Sequence, residues 1–164
     1  TLLQKSVAEE FFQASETVFC IGVSGYPEKH MEAPSLDTDI QYLKEKIVAG
    51  ADYIVTQMFF DNSKFFDFQE KCLAAGIDVP IIPGLKPIAT RRQLNLLPHR
   101  FHVDLPEALI QAVMTCKDNK AIKQVGIEWC IAQSKELQQA GVPFLHYYSM
   151  GKSENIKAIA DSIF

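Results

Sequence analysis

The chain has 164 residues, 48% hydrophobic and 22% charged, with a net charge of −4; this is the balance of an ordinary globular domain and excludes a disordered chain. Its basic residues are scattered, which argues against nucleic acid as a partner, and no apolar run reaches the ~18 residues that cross a bilayer. Cys20, Cys72, Cys116 and Cys130 form no CxxC pair, so reduced and mostly buried thiols are expected instead of a zinc or redox site.

The first residues, with Glu9 and Glu10, lack the basic and apolar regions of a signal peptide and read as the end of a helix; a cytoplasmic protein is expected. A first strand is predicted over 18–23, followed by the loop Ser24-Gly25-Tyr26-Pro27-Glu28-Lys29-His30. Ser35 or Asp37 can cap a helix over 37–49, where Ile40, Leu43, Ile47 and Val48 recur at helical spacing. The junction Ala49-Gly50-Ala51-Asp52 then leads into a strand over 53–60. Asn62 or Ser63 is the expected cap of a second helix, with Phe65, Phe68, Cys72 and Leu73 inward. The junction Ala75-Gly76-Ile77-Asp78 precedes a strand over 79–85. Thr90 is the expected cap of a third helix that stops at Pro98.

Pro106 suits the first turn of a helix reaching about Cys116, and a longer helix over 119–139 is predicted to bury Ile122, Val125, Trp129 and Leu137. A third Gly junction, Ala140-Gly141-Val142-Pro143, introduces a strand over 144–150, and a last helix from Ser153 packs Ile156, Ile159, Ala160 and Ile163. In all three junctions Gly stands where a helix ends, because it takes the left-handed conformation without steric cost. Strand and helix alternate, and the strands are apolar with little alternation. That pattern means an α/β fold with a parallel sheet, either open and doubly wound or part of a closed barrel.

In any such sheet, ligands bind at the carboxyl ends of the strands. Here those ends carry Tyr26 and His30, Thr56-Gln57-Met58, Pro83-Gly84-Leu85-Lys86 and His146-Tyr147-Tyr148, a mixture of aromatic and neutral hydrogen-bonding groups suited to a flat heteroaromatic ligand such as a flavin or pterin. Gln57 sits in an apolar strand and must find a partner, either ligand or backbone. His30 by itself reads first as a solvated loop residue, and Arg91-Arg92, which could bind a phosphate or a polyanionic tail, first as a solvated helix face. His99 and His102 form an HxxH, but Pro98 beside them disfavours the regular helix that a metal pair wants, so no metal is expected. No GxGxxG, P-loop, GxSxG or HExxH occurs.

Taken together, the block Tyr26-Pro27-Glu28-Lys29-His30-Met31-Glu32-Ala33, the following Asp39 and Lys46, the block Thr56-Gln57-Met58-Phe59-Phe60-Asp61 and the run Pro83-Gly84-Leu85-Lys86-Pro87 closely resemble the methylenetetrahydrofolate reductases. The likeness continues through Gln93 and His146-Tyr147-Tyr148 to the C-terminus. It implies the C-terminal half, about strands five to eight, of a (β/α)8 TIM barrel. The implied activity is FAD-dependent reduction of 5,10-methylenetetrahydrofolate to 5-methyltetrahydrofolate with NADH or NADPH as donor, in a homo-oligomer. By the resemblance, Tyr26, His30, Asp39, Tyr42 and Lys46 hold the FAD, and Gln57, Gln93, Tyr148 and Lys152 contact the substrate. Gln57 meets both nicotinamide and pterin.

The sequence departs from the family pattern at Glu45, where a basic flavin contact can stand, at Leu97, where an aromatic often packs on the folate, and at Gly151-Lys152, where Asn-Arg is common. The family's general acid and its flavin-tuning aspartate lie on the first four strands, so no catalytic acid is expected within these residues and the chain reads as truncated. The alternative functional expectation is a catalytically inactive half-barrel that serves as an assembly or ligand-binding module.

Overall fold

The computed structural model describes residues 19–151 and 153–164; the predicted N-terminal helix end and Lys152 lie outside the described residues. The chain alternates as β1 (Gly22–Gly25), α1 (Leu36–Val48), β2 (Tyr53–Met58), α2 (Asn62–Ala74), β3 (Ile81–Leu85), then α3 (Gln93–Phe101), α4 (Glu107–Met114) and α5 (Asn119–Gln139), then β4 (His146–Tyr147) and α6 (Glu154–Ile163). All the strand pairings are parallel, and the order in the sheet is β1-β2-β3-β4. Consecutive strands thus lie side by side without the reversal of order that marks a doubly wound sheet.

One face of the sheet carries the helices. Ile54 of β2 packs with Ile40 and Leu43 of α1 and with Phe68 and Cys72 of α2, while Leu85 of β3 packs with Phe65 of α2, Cys130 and Leu137 of α5 and Ile159 of α6. Across the ladder, Val55 pairs with Ile82. These two residues alternate with the helix-facing pair Ile54 and Ile81, stay only half-buried, and have no layer over them among the described residues. Strands in sequential order, helices on one side and an open opposite face are the arrangement of part of a (β/α)8 barrel. That settles the choice which periodicity leaves open.

The three Gly junctions form as expected. Gly50, Gly76 and Gly141 have φ of 110°, 78° and 83°, and the residue after each of them donates back into the helix it leaves, as Ile77 does to Cys72. The strand bounds differ from expectation for one reason, which is pairing. β1 starts at Gly22, opposite the first residue of its partner, Tyr53, so Phe19 and Ile21 stay outside the ladder and exposed. β4 keeps only His146 and Tyr147 because it pairs only with Gly84 and Leu85.

Helix details correct several expectations. α1 begins under Ser35, whose hydroxyl accepts from Thr38 N, and Val48 is exposed. The cap of α2 is Asp61, bonded to Ser63 N at 2.9 Å. The expected cap Asn62 is instead buried, donating to Gln133 O and Glu136 Oε2. Leu73 is 69% exposed, not inward. α3 runs through Pro98 to Phe101, since the φ that proline fixes is itself helical and the chain forgoes one N–H bond there, and it ends at His102 in the left-handed conformation. Thr90 does not cap it. Cys72 and Cys130 are buried and Cys116 is half-buried, but Cys20 is exposed. Burial raises the two buried thiols to about 12.

Candidate active site

The carboxyl ends of β1, β2, β3 and β4 gather most of the residues that the sequence singles out. After β1 the chain turns through Tyr26 and Pro27, with Lys29 N bonded to Tyr26 O and Lys29 itself at φ 81°. That turn sets Tyr26 against His30, ring centroids 4.7 Å apart and nearly perpendicular. His30 N donates to Asp39 Oδ2 at 2.8 Å, fixing the loop to the first turn of α1. Its Nδ1 accepts from Glu32 N at 3.2 Å, so in the neutral ring the proton sits on Nε2, free to donate outward. Asp39, Tyr42 and Lys46 follow at spacings of three and four residues and share one stripe of α1, which borders the buried Leu43. Tyr42 and Lys46 are exposed on that stripe.

β2 carries a β-bulge at the place where chemistry is expected. Its register to β3 slips between Val55 and Met58, so that Thr56 and Gln57 together oppose Pro83, and such an extra residue re-aims a side chain. Gln57 lines a crevice with Tyr26, Glu28, Met58, Phe101 and Val103 that is too narrow to admit a water molecule. Its Oε1 accepts from Met58 N at 3.0 Å, which leaves the amide N–H groups as donors. The backbone thus supplies the partner that burial of the amide requires.

Tyr148 stands across the sheet from this cleft. Its hydroxyl donates to Thr56 O at 2.9 Å, passing over β3 at Gly84, where a Cβ would collide with that same carbonyl and with the Tyr148 ring. His146 packs edge-on against Tyr148 at 4.7 Å. Burial raises the phenol's pKa, and the charge of Tyr26 pushes it the same way. Tyr148 also edges a cleft of about 140 Å³ with Lys86, Thr90, Gln93, Ser149 and Asn155. Leu97, where an aromatic could have packed on a ligand, is 2% exposed and belongs to the core.

Two residues that sequence reasoning left without a role stand out. Glu28 has Oε2 bonded to Asp104 N at 3.1 Å and a buried Oε1 with no partner among the described residues. Burial pushes its carboxyl up to about 7, against the lowering effect of the Asp104 N–H and of Lys64, while the Asp104 and Asp61 carboxylates push the same way as burial. Lys86 is 7% exposed, and burial lowers the pKa of its ammonium. The available signal for Lys86 was its place inside the apolar run Ile-Ile-Pro-Gly-Leu-Lys-Pro-Ile; for Glu28 only the long-range contact reveals the burial. A cavity of about 490 Å³ between Phe66, Leu73, Val79 and Phe144 opens at the amino end of β3 and so lies away from these groups.

The chain matches the methylenetetrahydrofolate reductase family over residues 6–163. It is 34% identical over 146 residues to methylenetetrahydrofolate reductase 1 of Schizosaccharomyces pombe, covering 88% of this chain and 24% of that protein. Against 5,10-methylenetetrahydrofolate reductase of Escherichia coli the identity is 35% over 146 residues, covering 88% and 49%. The chain thus spans about half the length of its bacterial relatives and about a quarter of the fungal one. Among solved structures, an uncharacterized protein from Clostridium thermocellum that binds two copies of 5-methyl-5,6,7,8-tetrahydrofolic acid superposes with a TM-score of 0.62 at 23% identity, over 87% of this chain and 52% of that one. That likeness shows a shared fold.

Proposed function

The chain belongs to the methylenetetrahydrofolate reductase family, and from that premise we propose that its protein reduces 5,10-methylenetetrahydrofolate to 5-methyltetrahydrofolate in the cytoplasm, with NADH or NADPH as donor and FAD as carrier. The supporting observation is that the loop after β1, the bulge in β2 and the end of β4 converge: Tyr26 stands beside His30 and lines one crevice with Gln57, and the Tyr148 hydroxyl reaches the carbonyl of Thr56, the residue before Gln57. Residues 19–164 would form the last strands of the barrel, and the rest of the barrel would close the open sheet face.

The residues fit a flavin. His30 keeps a free Nε2–H beside an aromatic partner, and the exposed Lys46, on the stripe that begins at the anchored Asp39, offers a counter-charge for a pyrophosphate. Tyr26 and His30 would hold the ring, while Asp39, Tyr42 and Lys46 would hold the ribityl, phosphate and adenosine parts. FAD, when bound, takes electrons from the nicotinamide and passes them to the folate.

On the substrate side, Gln57 presents amide N–H groups whose direction is fixed by the bond from Met58 N. It would donate to the carboxamide of the nicotinamide and, in turn, to the carbonyl of the pterin. Gln93 and Tyr148 would bound the folate on its other side, with Lys152 completing that set. Incubating the full-length protein with NADH or NADPH and 5,10-methylenetetrahydrofolate tests the reading: 5-methyltetrahydrofolate should appear, from a preparation that shows flavin absorbance, and Tyr26→Ala should lower the flavin content. Product formation by a flavin-free preparation would overturn the cofactor assignment, and no product with either donor would overturn the activity.

A further inference from the structure

We propose that the cleft walled by Lys86, Thr90, Gln93, Ser149 and Asn155 is an anion subsite that takes a carboxylate of the folate's glutamyl tail, with Lys86 as its counter-charge. The inference rests on the folate reading above and adds to it the part of the ligand that this cleft recognises.

A buried ammonium needs an anion or an acceptor nearby, because withdrawal from water costs it its hydration. Leu85 turns into the helix layer, and Lys86, next in line, turns to the cleft and is 7% exposed. Among the described residues the ion pairs are Lys64–Asp104 and Lys157–Asp161, and none involves Lys86. Burial lowers its pKa and no carboxylate counters the effect.

The rest of the wall is also rich in donors. Gln93 has its Oε1 engaged by Ala89 N at 2.6 Å and Thr90 N at 3.2 Å, so the free part of its amide is the N–H side. The helices α3 and α6 begin at Gln93 and Glu154 and bring their amino ends to the same cleft through Gln93 and Asn155, which adds the favourable end of two helix dipoles. Glu154 itself is exposed and does not line the cleft. A volume of about 140 Å³ admits a carboxylate and its adjoining methylenes but not a pterin ring stacked on a flavin. The folate carries its negative charge on its glutamyl carboxylates, so chemistry and size select that end.

The test is a double comparison in the full-length protein: binding of 5-methyltetrahydrofolate and of its tail diamide, in which both carboxylates are neutral, to the wild type and to Lys86→Met, read by calorimetry. We expect the diamide to bind the wild type about tenfold or more weaker than the acid, the scale of one charge-assisted hydrogen bond. Lys86→Met should lose the same factor for the acid and bind both forms alike. Equal affinity of the wild type for acid and diamide overturns the subsite while leaving the folate reading intact, and this arm needs no variant to fold. A diamide penalty that persists undiminished in Lys86→Met overturns the role of Lys86. Failure of both forms to bind the wild type sinks the folate reading, and the inference with it.

Discussion

At the scale of single residues the site is built by backbone contacts that tie neighbouring strands together, and two of them give direct tests. Gly84→Ala would drive a methyl group into the Thr56 carbonyl and the Tyr148 ring, both held in place by the bond between them. Neither obstacle is the tip of a free side chain. A loss of about 1–3 kcal/mol in urea unfolding is expected, whereas Tyr148→Phe, which removes only the hydrogen bond, should lose about 0.5–1.5 kcal/mol. Equal stability of Gly84→Ala and the wild type would show that β3 and β4 adjust freely.

Glu28 gives a pH test. Its carboxyl rises from 4.5 to about 7 on folding, mainly by burial, so between those values the native state holds a proton that the unfolded chain has released. The stability contributed is complete below pH 4.5 and is lost as pH rises through about 7. In Glu28→Gln nothing titrates, and the fall in melting temperature between those limits should shrink. An identical pH profile in the variant would place the effect elsewhere. The sequence shows Glu28 only as part of a motif, since its burial depends on Asp104, 76 residues away.

At the scale of elements, local signals carry most of the reading. Ser35, the three Gly junctions and the span of α5 stand where periodicity and capping rules put them. Asp118 accepts from Ala121 N at 2.8 Å at the start of α5, so Asp118→Ala should cost about 0.5–2 kcal/mol in thermal denaturation; no loss would mean that tertiary packing alone holds that end. What local signals miss is set by partners. Asp61 and not Asn62 caps α2, because Asn62 is drawn into the bonds with Gln133 and Glu136. The bulge at Thr56 and Gln57 leaves no mark in composition, yet it directs the glutamine on which the substrate reading depends. The short β4 follows from the length of strand left for it to pair with, which no window of sequence encodes.

At the scale of the whole molecule, the sheet has helices on one face and half-buried Tyr53, Val55 and Ile82 on the other. Apolar strand surface and unpaired edges of that kind associate. Residues 1–164 produced alone should therefore sediment as species larger than the 18.4 kDa monomer, and a clean monomer would show that the face is tolerated in water. The parallel α/β class was legible from alternation, and the grouping of Tyr26, His30 and Gln57 from the rule that strand ends carry ligands. The reach of Tyr148 to the Thr56 carbonyl was not, since they are 92 positions apart along the chain and meet only across β3.

The claim on which the account turns is that one glutamine, re-aimed by the bulge in β2, serves two substrates in succession. Stopped-flow measurement of flavin absorbance in the full-length protein, wild type and Gln57→Ala, separates the half-reaction with NADH or NADPH from that with 5,10-methylenetetrahydrofolate. Both rates should fall about tenfold or more in the variant, the scale of a lost hydrogen bond to a reacting ligand. Unchanged rates in both half-reactions would contradict it.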